Sequence, residues 1–355
     1  MNTLLRKFLL AGLSSLILLA AVATAPVSAR AGSACCTAAA PPPVAPILPS
    51  DYLGWTNAYR LQNDRAEAVF VPAIGRLVHF APLQGPSPFR LEASLQGKTP
   101  AAGEPFFNIG GDWLWPVAQA RWAAFSADGK DWPPPAALAD LPWTCSAWTD
   151  AEGASCALLT RDYGAPLHIQ VSRLFRLAPG SAALVVQQRI ERTAPSDIPV
   201  VLWNISQIAQ AEQIALPIGP ASQFRGGLQA LMGRKPSRRQ LAVCGDAAVY
   251  RVSEGAETKL GSDSPRGWIA AAKGTNLIFE SVANAAAGDY PDGGCVVEVY
   301  SNQGLGYSEI ETLSPELALA PGTVLENTLR IELSATDAVL EACPLADAVR
   351  ALAGE

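Results

Sequence analysis

Histidine is scarce in this sequence, and so are the residue patterns that hold metals or nucleic acids. The 355 residues include two histidines, His79 and His168, and none of the seven cysteines lies at CxxC spacing. This composition predicts no metal site and no cofactor. The net charge is −6, and basic residues cluster only at 234–239. Because nucleic-acid binding needs a basic surface, we do not expect a nucleic-acid partner.

Only one apolar run approaches the length of a membrane span. It covers 8–22, follows the basic pair Arg6 and Lys7, and precedes the small residues of 27–29. This order is typical of a secretory signal peptide over 1–29, cleaved after Ala29. The run is short, because a membrane span needs about 20 residues. We therefore expect a periplasmic or secreted protein, with an uncleaved anchor as the alternative.

A lipid anchor is a second alternative. The segment 32–35, which ends at Cys35, loosely resembles a lipoprotein cleavage box but lacks the usual leucine and lies far from the apolar run. Contact with a membrane is thus expected only through an uncleaved signal or through lipid on Cys35.

Helical patterns are rare in the rest of the chain. Residues 30–50 are rich in alanine and proline, which predicts an extended linker. From 51 to 335 short segments of alternating polarity are bounded by Gly, Pro, Asn and Asp, as in 168–177, 182–192 and 323–333. Such segments without intervening helices predict an all-β sandwich. Only 336–355 is amphipathic with a helical period, which predicts a C-terminal helix.

Five cysteines follow residue 51, four in the predicted β domain and Cys343 in the predicted C-terminal helix, and an exported protein meets an oxidising compartment. Cys145 and Cys156 flank a turn-like stretch at 150–153. We predict a disulfide between them across a hairpin.

Tryptophan is concentrated between residues 104 and 145, where five of the nine occur. One interpretation is a loop packed over the end of the sandwich core. The other is a platform on which sugar rings stack, since an aromatic face suits an apolar ring face.

Several motifs together resemble a family of uncharacterised domains within the galactose mutarotase-like (aldose 1-epimerase-like) superfamily. They are GWTNAYRL at 54–61, VPAIGR at 71–76, GGDWLWP at 110–116, WPPP at 132–135, LWNISQ at 202–207 and YSEIETLSP at 307–315, followed by PG at 321–322. The resemblance covers about 52–333. It implies a galactose mutarotase-like β-supersandwich whose concave sheet face binds carbohydrate.

One feature of that superfamily is missing. The resemblance implies that a histidine protonates the sugar ring oxygen and that a late glutamate takes the anomeric proton. The strand expected to carry the histidine is 202–207, and it has none. A late glutamate is present as Glu309 or Glu311, of which we rank Glu311 first.

The hairpin from 295 to 313 concentrates acidic residues. Alternation places Glu298 and Tyr300 on one face of the first strand, and Tyr307, Glu309 and Glu311 on the same face of the second. Pairing Tyr300 with Tyr307 would set Glu298 opposite Glu309. Facing like charges destabilise a sheet, so we expect a cation, a bound polyol or a protonated carboxyl to relieve them. The alternative is a wet sheet face where water screens the repulsion.

These patterns support three functions. The first is a carbohydrate- or polyol-binding protein, with the ligand held by carboxylates and aromatic rings. The second is an epimerase or mutarotase-like enzyme with Glu311 or Glu309 as base. The third is a structural envelope protein without a ligand. The supporting ligand-binding candidates are Arg76, Asp112, Trp113, Trp115, Glu298, Tyr300 and Tyr307.

Overall fold

The computed structural model describes residues 45–101, 106–252, 257–283, 285–302, 304–335 and 341–355. The predicted signal peptide, Cys35 and most of the predicted linker therefore lie outside the described residues. Within the described ranges, the chain forms strands joined mainly by short turns.

The strands follow one another along the chain with little helix between them. Their bounds are β1 Ala45–Ile47, β2 Ser50–Tyr52, β3 Trp55–Gln62, β4 Ala66–Val71, β5 Arg76–Pro82, β6 Asp112–Trp115, β7 Thr144–Thr149, β8 Ser155–Asp162, β9 Ile169–Leu177, β10 Ala183–Arg192, β11 Trp203–Ala209, β12 Gln213–Pro217, β13 Gln229–Gly233, β14 Leu241–Cys244, β15 Ala247–Arg251, β16 Glu257–Ser262, β17 Trp268–Lys273, β18 Asn276–Val282, β19 Val297–Asn302, β20 Tyr307–Leu313 and β21 Val324–Ala335.

The strands build two large antiparallel sheets. The first has eleven strands in the order β1-β7-β8-β9-β10-β21-β18-β17-β12-β15-β14, and the second has ten in the order β13-β16-β19-β20-β11-β6-β5-β4-β3-β2. Strand β9 alternates strictly between buried and more exposed positions. Its inward residues meet the second sheet, as when the rings of Phe175 and Phe70 lie 4.6 Å apart. The predicted all-β sandwich is confirmed.

Helices are short except at the C-terminus. They are α1 Ala136–Ala139, α2 Pro291–Gly294 and α3 Ala342–Ala353, with single 3-10 turns at Pro72–Ile74, Ala93–Leu95, Gln119–Ala124 and Arg225–Gly227. The predicted C-terminal helix is confirmed as α3. Its Leu345 and Val349 pack against Trp268 and Phe279 on the outer side of the eleven-stranded sheet.

Two features concern the predicted ends of the domain. Strands β1 and β2 fall partly within the segment predicted as a linker, and β1 pairs with β7 at the edge of the first sheet. Among the described residues, no helix combines the length and the apolar character needed to cross a membrane.

The predicted Cys145–Cys156 disulfide is wrong. Cys145 lies opposite Leu159 and Cys156 opposite Trp148 in the β7–β8 pair, so the two thiols are offset along the hairpin. Both are free. The disulfide instead joins Cys244 at the end of β14 to Cys343 at the start of α3, across a sequence separation of 99. A cross-strand bridge requires directly facing residues, and the turn-like stretch alone did not establish that register.

Candidate functional site

The candidate site lies on the outer face of the ten-stranded sheet, the side turned away from the other sheet. Strand pairing sets Trp203 beside Trp115 and Ile205 between Trp113 and Glu311. Because paired residues share a face, Trp113, Trp203 and Glu311 lie together there. The predicted face of the hairpin is thus present, and it continues across β11 and β6.

The register of that hairpin differs from the prediction. Glu298 pairs with Glu311, and Tyr300 pairs with Glu309. Strand β19 continues to Asn302, which pairs with Tyr307 and closes a shorter loop than expected. A shift of two residues leaves every side chain on its predicted face. The facing acids are therefore Glu298 and Glu311 rather than Glu298 and Glu309.

Lys259 relieves the repulsion between these two acids. Its Nζ lies 2.6 Å from a Glu298 oxygen and 3.4 Å from Glu311 Oε2, and 4.8 Å from the centre of the Trp203 ring. The Trp203 indole N–H donates a hydrogen bond of 2.7 Å to Glu311. Glu298 is fully buried and Glu311 is 1% exposed. Glu311 is therefore held by two partners beneath the surface of the face.

Glu309 is more accessible and belongs to a second group of polar side chains, the Glu309 patch, formed by Arg90, Asn108, Gln207, Tyr307 and Glu309. The Gln207 amide donates 2.8 Å hydrogen bonds to Glu309 and to Asn108. The Arg90 guanidinium donates a hydrogen bond of 2.9 Å to the side-chain amide oxygen of Gln207. It also lies 4.8 Å from the centre of the Tyr307 ring. This network holds Glu309 in one orientation at a half-buried position.

The pKa values of several groups on this face are shifted. Burial, and then the neighbouring Glu311 carboxylate, raise the pKa of Glu309 to about 7. Burial raises the pKa of Glu298 well above its usual value despite Lys259. Burial disfavours the charged form of Lys259, but Glu298, Glu311 and Asp292 outweigh it and raise the pKa of that ammonium. Near neutral pH the face therefore holds a permanent cation and a carboxyl, Glu309, that exchanges its proton.

Two consecutive glycines bring Arg90 to the patch. Gly110 has φ 99 and Gly111 has φ 81, both in the left-handed region. A Cβ at Gly110 would lie 2.1 Å from the Arg90 carbonyl oxygen, and one at Gly111 would lie 2.5 Å from the Leu77 oxygen. Only glycine allows this close approach, which lets the Arg90 segment continue the sheet beside Gln207.

Arg76 lies on the same face but is closed off from solvent. Its guanidinium lies 4.0 Å from the centre of the Trp113 ring and 3.6 Å from an Asp140 carboxylate oxygen. It also donates a hydrogen bond of 3.1 Å to the backbone oxygen of Gly110. It is 1% exposed. Burial lowers its pKa to about 10. Arg76 thus ties the segment that contains Asp140 onto the sheet.

Trp113 and Trp115 do not present open rings. They are 2% and 5% exposed. The Trp115 ring lies 4.6 Å from that of Trp122 and 5.9 Å from that of Trp203, both edge-on. Both residues lie in strand β6 rather than in a loop, and their burial leaves no open ring for a sugar to stack on.

Asp112 faces the opposite way. It is fully buried between the sheets. Its carboxylate lies 2.8 Å from the Arg173 guanidinium and accepts a hydrogen bond of 2.8 Å from the side-chain amide of Asn204. Because successive residues of a strand alternate, Asp112 and Trp113 cannot share a face. The structure therefore does not bring Asp112 together with Glu309 and Glu311. Tyr300 and Tyr307 do lie beside them, with ring centres 6.2 Å apart.

A separate cleft of about 500 Å³ opens between the sheets near Ile208, Ile278 and Leu333. Its lining combines these apolar residues with Glu212, Lys273 and Asn276, and it includes none of Glu298, Glu309 and Glu311. The cleft is therefore separate from the Glu309 patch.

Three solved structures resemble this chain over most of its length. A candidate aldose 1-epimerase from Escherichia coli K12 has a TM-score of 0.51 at 12% identity, with 79% of this chain and 99% of that chain covered. A protein from Synechocystis sp. has a TM-score of 0.52 at 12% identity, covering 81% and 99%. A TPR-domain containing protein from Parabacteroides distasonis has a TM-score of 0.53 at 13% identity, covering 80% and 48%.

The chain has the galactose mutarotase-like fold. The low identity supports the fold alone. Neither a family model nor a curated protein matches the sequence.

The histidines of this mutarotase-like chain lie away from the Glu309 patch. His79 Nε2 lies 3.2 Å from Glu67, and the His168 amide bonds to Gly164 within a loop. Burial lowers the pKa of His79. Among the described residues, no three His, Cys, Asp or Glu side chains are arranged to hold a metal ion.

Four residues of this candidate site were not singled out from the sequence. They are Arg90, Asn108, Gln207 and Lys259. Lys259 carried a signal, because it is the one lysine in a strand whose residues from 258 to 262 are all buried. Arg90 and Asn108 carried none, since loop residues reach the sheet only through the fold.

Proposed function

We propose that this protein binds a carbohydrate or related polyol at the Glu309 patch. The observation that carries the proposal is a half-buried carboxyl, fixed by Gln207 and flanked by Arg90, Asn108 and Tyr307. A sugar hydroxyl both donates and accepts hydrogen bonds. The patch supplies both partners, because Glu309 accepts while Arg90 and Asn108 donate.

Preorganisation of the patch supports this proposal. Its side chains already hydrogen-bond to each other, so a ligand would order few of them on binding. Lys259 lies behind the patch and compensates Glu298 and Glu311, which leaves Glu309 as the acid that a ligand can reach. This ranking reverses the sequence-based preference for Glu311.

The test is a calorimetric screen of glucose, galactose, mannose and glycerol against the wild type and Glu309→Gln. We expect Glu309→Gln to lower the affinity for the sugar that binds by about tenfold or more, because a hydrogen bond to a charged group is worth about 1.5–3 kcal/mol. The matched control is Glu326→Gln, which changes an exposed carboxyl on the other sheet. Equal affinity of the wild type and Glu309→Gln for a bound sugar would contradict the proposal.

Catalysis is a second candidate function. A general acid or base works best with a pKa near the working pH, and the pKa of Glu309 is about 7. We propose Glu309 as the base that would remove the proton of the C1 hydroxyl in an epimerase-like reaction. Because no histidine lies at the patch, water would supply the proton to the ring oxygen as its bond to C1 breaks. Polarimetry of freshly dissolved α-anomers would test it. A rate equal to the buffer rate would leave binding without catalysis.

Export is proposed from two observations. The N-terminal sequence has the order of a secretory signal, and the Cys244–Cys343 disulfide suits an oxidising compartment. Mass spectrometry of protein from its native host should find an N-terminus at Arg30. A retained N-terminus would indicate an anchor, and lipid on Cys35 would indicate a lipoprotein. A structural envelope role remains the interpretation if no sugar binds.

A further inference from the structure

Trp132 differs from every other tryptophan of the chain. Of the nine tryptophans, the other eight are at most 8% exposed, whereas Trp132 is 54% exposed. A large ring left in water loses the burial that usually stabilises it. This one position therefore needs an explanation that core packing does not give.

The ring of Trp132 is nevertheless held in place. It stacks on Trp122 with ring centres 6.4 Å apart and an angle of 28° between the planes. The Phe106 ring meets it edge-on at 5.9 Å. Trp122 is itself fully buried and donates its N–H to the Val117 oxygen. One side of the Trp132 ring is thus fixed against a rigid neighbour while much of the ring stays open to water.

Trp132 is connected to the Glu309 patch through residues 106–108. Phe106 contacts Trp132, and Asn108, two residues further on, hydrogen-bonds to Gln207 and Tyr307. Two residues of extended chain span at most about 7 Å. The exposed ring and the polar patch are therefore joined by one short segment, 106–108, that contacts both.

We infer that Trp132 is a second sugar subsite, and that the ligand is an oligosaccharide rather than a single sugar. The inference rests on the proposed function of the Glu309 patch. One sugar unit binds the polar patch, and a unit further along the chain stacks its apolar C–H face on Trp132. The two residues that precede Trp132 in the sequence, Lys130 and Asp131, are exposed polar residues, and Lys130 forms an ion pair with Asp128.

The test compares chain lengths by calorimetry. The probes are glucose with maltose to maltotetraose, glucose with cellobiose to cellotetraose, and galactose with β-1,4-galactobiose to galactotetraose. For the series that binds, we expect the wild type to bind the tetramer about tenfold more tightly than the monomer. Trp132→Ala should remove this gain and leave the affinity for the monomer unchanged.

Two further variants separate stacking from folding. Trp132→Phe keeps an aromatic face and should retain part of the gain. Leu141→Ala removes another exposed apolar side chain of the same segment, 44% exposed, and should change nothing. Thermal melts of all three variants verify that each is folded.

The outcomes distinguish the two proposals. A wild type that binds monomer and tetramer equally would overturn the second subsite and leave the first intact. The second subsite would also be overturned, and the first left intact, if Trp132→Ala weakened the binding of monomer and tetramer by the same factor. A wild type that binds none of these sugars, and neither mannose nor glycerol, would contradict both proposals.

Discussion

The molecule holds two clusters of carboxylates, one between the sheets and one on the outer face. The inner cluster has Asp112 and Glu280 around Arg173, with Asn204 bridging the two acids. The outer cluster has Glu298, Glu311 and Glu309 around Lys259. Both clusters have fewer cations than acids, so in each cluster one carboxyl has a raised pKa and keeps its proton to a higher pH than a free carboxyl does. Burial raises the pKa of Glu280 to about 8.

The clusters differ in access to solvent. Asp112 and Glu280 are fully buried, and no ligand can reach them without separating the sheets. Glu309 is half-buried at the edge of the outer cluster. The difference shows that a perturbed carboxyl pKa alone does not identify a binding site. The perturbed group must also be reachable, and only the outer cluster meets both conditions.

Removal of the inner cation should have the largest effect on stability. Arg173→Met leaves Asp112 and Glu280 with no cation, so we expect the free energy of unfolding to fall by about 3–5 kcal/mol. Urea unfolding at pH 7 measures this loss. Arg189→Met, which changes a more exposed arginine in the neighbouring strand, should cost less than about 1 kcal/mol. Equal losses would mean that the inner cluster is not a buried ion site.

The inner cluster should also make stability depend on pH. At pH 6 folded Glu280 keeps a proton that the unfolded chain, with its ordinary pKa of 4.5, has lost. Stability should therefore fall as the pH rises from about 4.5 to about 8, by on the order of 4 kcal/mol. Glu280→Gln should remove most of this decline, because a glutamine side chain does not titrate. The groups that face Glu280 are Asp112, Arg173, Asn204 and Ser206.

Unfolding curves at several pH values would measure this slope, with Glu326→Gln as the control. An unchanged slope in Glu280→Gln would assign the proton to another group, of which Asp112 is the nearest.

Removal of the outer cation should cost less. Lys259→Met should lower the free energy of unfolding by about 2–4 kcal/mol, because Glu298 can take up a proton when its cation is lost. The double variant with Glu298→Gln should recover part of the loss. Lys273→Met, at an exposed lysine, is the control. A loss equal to that of Arg173→Met would remove the energetic distinction between the clusters.

Glu309→Gln should have the smallest effect on stability. Burial raises the pKa of Glu309 above its ordinary value, so its contribution is present at acid pH and is lost as the pH rises through about 7. Because Glu309 is only half-buried, water screens this shift, so we expect a smaller stability change than for Glu280→Gln. The variant should become more stable relative to the wild type as the pH rises through about 7. Thermal melts at pH 6 and pH 8 would show it. A loss of several kcal/mol would make Glu309 a structural residue.

The fold and the face of the acidic hairpin were predictable, because both follow from a period of two. Alternation placed Glu298, Glu309 and Glu311 together, and a register error of two residues left that conclusion intact. The same rule should have separated Asp112 from Trp113, which are adjacent in one strand. The error there was to treat a motif as a site.

The partners of those acids were not predictable. Lys259 reaches Glu298 from strand β16, and Arg90 reaches Gln207 from a loop more than a hundred residues earlier in the chain. Such contacts depend on the order of strands in the sheet, which local patterns do not determine. The prediction of the disulfide failed for the same reason, since Cys244 and Cys343 meet only after α3 packs on the sheet.

The disulfide has a topological consequence. The segment that it closes, from Cys244 to Cys343, contains Lys259 and the whole β19–β20 hairpin, while Gln207 and Arg90 lie outside it. A protease that cuts once inside this segment would leave two fragments still joined by the sulfur bridge. One such cut would therefore not release either half of the Glu309 patch from the other.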